Sequence, residues 1–292
     1  MPDFKTVMPR MPNPPSHPQP AGATDSHSHV FGPYDRYALV NPPNYEPPEA
    51  PVERHLQMLD KVGNRYGVLV QPAAYGFDCT LIQDAIAASG GRLRGIGLGG
   101  PELTAPRIAE LDRAGFRGLR FVDMLDPQGR PYIGAVSAAR LIEMAPRLAA
   151  VGWHPELWAK IDHHVEVIPK LIPFGMPIVL DHMAGIDVAR GTADPAFQQL
   201  LRFVADGHVW VKTSLCRQSR DYPHYHDLKP FHDALLAANP ERLLWGSDWP
   251  YLAMGAASPD VGTLIDRVWD WVPDPAARQR IFVTNPGEIY GF

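Results

Sequence analysis

His27 and His29 stand one residue apart in the stretch Thr24-Asp25-Ser26-His27-Ser28-His29-Val30-Phe31. Alternate residues of a strand share a face, so the two imidazoles would point one way and Ser26 and Ser28 the other. Converging imidazoles can ligate a metal, hold an anion or carry a proton. Three later stretches end in residues able to join them: Gly118-Leu119-Arg120, Leu180-Asp181-His182 and Trp245-Gly246-Ser247-Asp248. Each residue has a plainer reading. An Asp after a strand usually caps a turn or helix, a single His at a strand end is usually a hydrogen-bonded core group, and Arg120 could form a surface ion pair. Together, three histidines, an aspartate and an arginine offer a base, polarising groups and an anion clamp.

Other candidates are weaker. His224 and His226 form a second His-x-His in an aromatic loop and are expected either to touch substrate or to be bystanders. His163-His164 opens a helix and is expected to face solvent. Cys79 has no adjacent base and reads as a small apolar residue. No Gly-x-Ser-x-Gly elbow is present, which leaves serine-hydrolase chemistry unsupported.

The elements that must position these residues follow from the apolar runs. Strands are predicted at 25–31, 67–71, 93–98, 118–122, 153–161, 177–182, 209–213 and 243–248. Trp158 and Lys160 then fall on the fifth strand. Helices are predicted between them at 52–62, 81–88, 105–114, 135–151, 165–172, 195–205 and 228–238, with two more at 261–271 and 276–283. Strict alternation implies parallel βαβ units, and eight of them make a (β/α)8 barrel of a single α/β domain spanning 23–292. An open doubly wound sheet would carry a glycine-rich turn after its first strand, where this chain has His-x-His. In a barrel the C-terminal strand ends form the active face, which is where the notable polar residues collect. Residues 1–22 read as a proline-rich arm without a core of its own, and 32–51 as a long loop carrying Tyr34, Tyr37 and Tyr45.

Bulk composition narrows the classes. At 292 residues, 45% hydrophobic and 20% charged, the chain is an ordinary globular protein with ample core. A net charge of −5 and no basic stripe argue against nucleic acid as a partner. No apolar run nears the ~20 residues of a membrane span, and the proline-rich leader does not resemble a secretory signal. Two cysteines, Cys79 and Cys216, exclude a disulfide framework and suggest a reducing, cytoplasmic setting.

The motifs taken together resemble the amidohydrolase superfamily, within it the branch of 2-pyrone-4,6-dicarboxylate lactonase and related lactone hydrolases. The matching stretches are Asp25-Ser-His-Ser-His-Val-Phe31, Gly118-Leu-Arg-Phe121, Val179-Leu-Asp-His-Met183, Leu244-Trp-Gly-Ser-Asp-Trp-Pro250 and Thr284-Asn-Pro286, with shorter ones between. The resemblance implies a distorted barrel and hydrolysis of a small carboxylated lactone in aromatic-acid or sugar-acid catabolism. It implies His27, His29, His182 and Asp248 as the catalytic set, with Asp248 activating water. Arg120, Tyr45, Arg217 and Trp158 would bind substrate. Two departures stand out: Asp126 occupies a place where the pyrone lactonase has an arginine, and Trp158 replaces a tyrosine. Both favour a related lactone over the pyrone dicarboxylate itself. The resemblance implies no obligatory metal. The alternative is one zinc or manganese ion on His27, His29, His182 and Asp248, and no bridging role is expected for Lys160. Rival readings are a metal-dependent decarboxylase of an unsaturated or aromatic acid and a non-catalytic barrel that binds small acids. A monomer and a small homo-oligomer are both compatible with the sequence.

Overall fold

Eight parallel strands pair in sequence order in the computed structural model: β1 (Thr24–Ser28), β2 (Tyr66–Val70), β3 (Leu93–Gly97), β4 (Phe116–Val122), β5 (His154–Trp158), β6 (Ile178–Leu180), β7 (Val209–Lys212) and β8 (Leu243–Leu244). The helices are α1 (Val52–Val62), α2 (Thr80–Ala88), α3 (Ala105–Arg113), α4 (Ala138–Ala150), α5 (Ile161–Leu171), α6 (Pro195–Ala205), α7 (Lys229–Ala238), α8 (Val261–Trp271), α9 (Pro275–Gln279) and α10 (Asn285–Tyr290). Residues 5–41, 45–126 and 128–292 are described. The first four residues of the leader, residues 42–44 of the long loop and Pro127 of the stretch holding Asp126 lie outside the described residues. Among the described residues no helix is long and apolar enough to cross a membrane.

Strands covered on both faces read as continuous apolar runs, which is why β2, β6 and β7 were recognisable. β8 is the exception, with only two regular residues. The seam between β8 and β1 is closed instead by the stretch beyond it. Ser26 N donates to Trp245 O (2.9 Å), Asp248 N to His27 O (2.8 Å) and His29 N to Trp249 O (2.9 Å). Gly246 is required at this seam, because a Cβ there would lie 2.6 Å from the Cβ of His27.

Three expectations are corrected. β5 ends at Trp158, and Lys160 is the cap before α5 rather than a strand residue, because Ile161 is buried as the first residue of that helix. α5 therefore starts four residues earlier than 165, and His164 falls on its buried stripe with Ile161, Ile168 and Leu171. It does not face solvent. His163 does so in part and bonds Asp123 Oδ2 at 3.0 Å. Finally, the helix expected at 276–283 stops at Gln279, passes through a π turn at 280–284 and resumes as α10. At its start the Asn285 amide donates to the carbonyls of Pro240 and Leu243, both at 2.8 Å, which ties α10 to the entry of β8.

Residues 13–17 pack along α8 and its cap, while Val7 pairs with the long loop at Pro47 and Glu49. Asn13 N and Ser16 N donate to Asp260 and Asp266 (2.8 and 2.7 Å), and His17 stacks on Trp269 with centroids 5.0 Å apart.

Inside the barrel Val68, Val70, Ile96, Val179, Trp210 and Leu244 form an apolar layer with Tyr290 of α10. The Tyr290 hydroxyl donates to Glu156 Oε1 at 2.8 Å, and both residues are fully buried. A hydrogen bond to a buried charge contributes about 1.5–3 kcal/mol. Tyr290→Phe should lower unfolding free energy in urea by about that amount. An unchanged midpoint would mean that Glu156 is satisfied without it.

Candidate active site

Asp248 is the centre of the site. Its Oδ1 lies 3.5 Å from His29 Nε2, 3.8 Å from His27 Nε2 and 3.9 Å from His182 Nε2. Its Oδ2 accepts from Arg217 Nε at 2.5 Å and lies 3.6 Å from Cys216 Sγ. All four predicted residues, from β1, from beyond β6 and from beyond β8, are thus brought together and buried. The loops after β6 and β8 bend sharply to deliver them. His182 (φ 48°), Met183 (53°), Ala184 (55°) and Asp248 (65°) are all non-glycine residues in the left-handed region. Such conformations cost of order 1–3 kcal/mol each and persist where the surroundings over-determine them, typically at functional sites.

The electrostatics favour an ionised Asp248 beside neutral His27 and His182. Burial opposes ionisation of the Asp248 carboxyl, but the Arg217 guanidinium beside it holds it well below the usual carboxylate range. Burial pushes His27 down to about 3, against the pull of Asp181, and also holds His182 well below its usual value. His29 Nδ1 lies 2.7 Å from the Val70 carbonyl. A carbonyl only accepts, so Nδ1 carries a hydrogen, and in the neutral ring Nε2 is the bare nitrogen facing Asp248. Asp25 braces the seam behind these groups, accepting from the Ser247 hydroxyl (2.5 Å) and amide (2.9 Å) and from the His27 amide (3.2 Å).

The expected substrate-binding residues line one side. Arg120 is 7% exposed, stacks over Trp158 at 5.0 Å and donates Nε to Asp181 Oδ2 at 3.2 Å. Its two terminal amino groups have no protein partner among the described residues. Trp158 Nε1 is likewise buried without one. Tyr45 sits close enough to Arg120 and Arg217 for both charges to act on its hydroxyl, although burial is the larger influence and raises it. Tyr132, which sequence reasoning did not single out, stacks on Trp158 at 5.3 Å and is influenced by Arg217 and Arg120 in the same way. Arg217 also borders an adjoining cavity of 430 Å³ with Met124, Lys160, Gly185 and Ser219. Asp126 is turned to Arg130, with an ion pair of 2.8 Å.

Three further residues were not anticipated. Asp181 Oδ1 lies 3.1 Å from His27 Nδ1, and Lys212 Nζ lies 3.2 Å from that nitrogen and 3.3 Å from Asp181 Oδ1. Lys212 also donates to Glu156 Oε2 at 2.5 Å. A polar column thus runs from Tyr290 through Glu156 and Lys212 to His27. The available signal was charge inside apolar strands: Glu156 in His-Pro-Glu-Leu-Trp and Lys212 in Val-Trp-Val-Lys must be paired if buried. His224 and His226 remain exposed and stack on each other at 5.6 Å, with His226 paired to Asp221. Cys79 is buried in the apolar core.

The donor set suits a borderline metal in type. His27, His29 and Asp248 form one candidate group and His27, Asp181 and His182 another, each with ligand atoms within 4.8 Å. The second group is compromised by Lys212, whose ammonium lies against two of its three members.

Comparison with known proteins gives concordant results. A family model described as Amidohydrolase matches residues 24–292. The chain is 34% identical over 281 residues to 4-sulfomuconolactone hydrolase of Rhizobium radiobacter, covering 93% of this chain and 91% of that protein. It is 29% identical over 289 residues to 2-pyrone-4,6-dicarboxylate hydrolase of Comamonas testosteroni, covering 94% and 93%. Among solved structures, a Pseudomonas putida protein provisionally assigned as a 2-pyrone-4,6-dicarboxylic acid hydrolase superposes with a TM-score of 0.79 at 30% identity, covering 92% of this chain and 97% of that one.

Proposed function

The chain belongs to the amidohydrolase family, and from that premise we propose that it opens the ring of a small lactone bearing an acidic substituent, in the breakdown of aromatic or sugar acids. The observation that carries this reading is the Oδ1 of Asp248 surrounded by three imidazole nitrogens at 3.5–3.9 Å, with the terminal amino groups of Arg120, unpartnered among the described residues, on the same side of the barrel. Asp248 Oδ2 is committed to Arg217, so Oδ1 is the base. It takes one proton from water, and the hydroxide adds to the lactone carbonyl carbon. His27 and His182 stabilise the oxyanion. The ring C–O bond then breaks, the proton held by Asp248 passes to the leaving oxygen, and the product is the open-chain acid. Arg120, with Trp158, Tyr45 and Tyr132, holds the acidic substituent, where a planar fork is the best match. Arg217 sits between base and cavity and contributes to the same clamp.

No obligatory metal belongs to this reading. Asp248, Asp181 and Glu156 face Arg217, Arg120 and Lys212, so three carboxylates meet three cations without one. A divalent ion on His27, His29, His182 and Asp248 would supply Lewis-acid polarisation of the same carbonyl.

Hydrolysis of 4-sulfomuconolactone, 2-pyrone-4,6-dicarboxylate and carboxylated muconolactones should be followed by ultraviolet absorbance on chelator-treated protein. Turnover is expected to survive the chelator. Activity that returns only with zinc or manganese would make the four residues ligands first. Silence in both states, with carbon dioxide released from an unsaturated acid, would replace the lactonase reading with a decarboxylase. Arg120→Lys keeps the charge and loses the fork. It should raise KM about ten- to a hundredfold with a smaller change in kcat, and an unchanged KM would remove Arg120 from substrate recognition.

A further inference from the structure

We propose that Lys212 is a positioning residue that fixes His27 as a hydrogen-bond donor toward the substrate carbonyl and, with the same hydrogen, withholds His27 from a metal. The proposal rests on the lactonase reading for its catalytic meaning but not for its test.

Hydrogen counting carries it. An ammonium has three hydrogens and no acceptor capacity. Lys212 is fully buried, and three acceptors surround its Nζ: Glu156 Oε2 at 2.5 Å, His27 Nδ1 at 3.2 Å and Asp181 Oδ1 at 3.3 Å. All three hydrogens are matched only if His27 Nδ1 presents a lone pair. A hydrogen on Nδ1, directed at Asp181 Oδ1 3.1 Å away, would leave the ammonium one acceptor short among the described residues, which is costly for a buried charge. Asp181 does not need that hydrogen. Its Oδ1 takes Lys212 and its Oδ2 takes Arg120 Nε at 3.2 Å. The matched arrangement puts the hydrogen of neutral His27 on Nε2, which is buried and has no hydrogen-bond partner among the described residues, with Asp248 Oδ1 3.8 Å away.

The two histidines of one His-x-His therefore meet the substrate with opposite polarity. His29, bonded through Nδ1 to the Val70 carbonyl, presents a bare Nε2, and His27 presents an N–H. Carbonyl addition needs both, an acceptor beside the attacking water and a donor for the developing oxyanion. A metal needs a lone pair from each ligand, and His27 belongs to both candidate ligand groups, so a hydrogen on its Nε2 weakens both. The tautomer of a histidine is set by the bond its other nitrogen makes, and here that bond comes from a lysine on β7.

The test is a long-range ¹H–¹⁵N spectrum of the full-length protein labelled at histidine nitrogen, with His27 assigned by its loss in His27→Asn. A protonated Nε2 and bare Nδ1 are expected in the wild type, and the opposite pattern overturns the proposal. In Lys212→Met/Glu156→Gln, which removes one charge of each sign, the His27 hydrogen should move to Nδ1. Zinc affinity by calorimetry should then rise about tenfold or more, the scale on which outer partners act on a site. The rise should vanish when His27→Asn is added. A folded variant with an unmoved hydrogen refutes the role of Lys212. The wild-type spectrum decides the tautomer even if the variant misfolds. Neither readout needs turnover, so absence of lactonase activity would count against the catalytic reading alone.

Discussion

Asp248→Asn is expected to lower kcat about 10²–10⁴-fold, the usual contribution of a positioned base, with kcat/KM falling in parallel. The parallel fall follows from where the proton goes. Among the described residues the side-chain nitrogen nearest Asp248 Oδ1 is His29 Nε2 at 3.5 Å, so the oxygen is kept for water and contributes little to holding the lactone. Asparagine has the same shape and leaves Arg217 its bond to the Leu252 carbonyl at 2.9 Å. Removing the carboxylate from the buried Arg217 pair should also lower the unfolding midpoint, so the loss of kcat is read in steady-state hydrolysis at a temperature where the variant stays folded. A variant that kept a tenth of wild-type kcat would force the base assignment onto another group. His29 is the next acceptor in reach, because in its neutral form Nε2 is bare and lies 3.5 Å from Asp248 Oδ1.

The barrel and most of the site were legible because their signals are local. Helices α1, α6 and α8 fall where apolar spacing puts them, residue for residue. His27, His29, Arg120 and His182 sit at or just beyond the ends of apolar runs, and the C-terminal ends of barrel strands are where such residues gather. Asp248 was legible by motif more than by element. Its segment is too bent to be a strand, and Gly246 is there because β1 passes 2.6 Å from where a side chain would begin. What escaped is non-local. His164 looked exposed because the start of α5 was placed four residues late, and a shift of four residues hides or exposes the same stripe only through the neighbours it meets. Tyr132 reaches the site from a loop whose path no periodicity encodes. Glu156 and Lys212 lie 56 residues apart in sequence and are single charges in strands that otherwise read as core. The sequence shows that each needs a partner, and only the closed barrel shows that they are partners of each other.

That pairing sets the second large effect. Lys212→Met should destabilise the fold by about 3–5 kcal/mol, the usual cost of removing one partner from a buried pair. The lysine is fully buried and is the only cation within reach of Glu156 among the described residues, apart from a histidine at 3.7 Å. Its removal leaves Glu156, among the described residues, with the Tyr290 hydroxyl and the more distant His154, and Asp181 with Arg120 and His27. Glu156→Gln in the same chain removes the stranded charge and should recover a substantial part of the loss, because replacing both members of a buried pair costs far less than breaking it. Urea unfolding of wild type, single and double variants closes the cycle. A Lys212→Met protein within about 1 kcal/mol of wild type would show that Glu156 takes up a proton or finds another donor. The column would then be a loose set of polar groups. A large loss with recovery in the double variant would show instead that the charges at the barrel axis are held as one unit, on which the orientation of His27 depends.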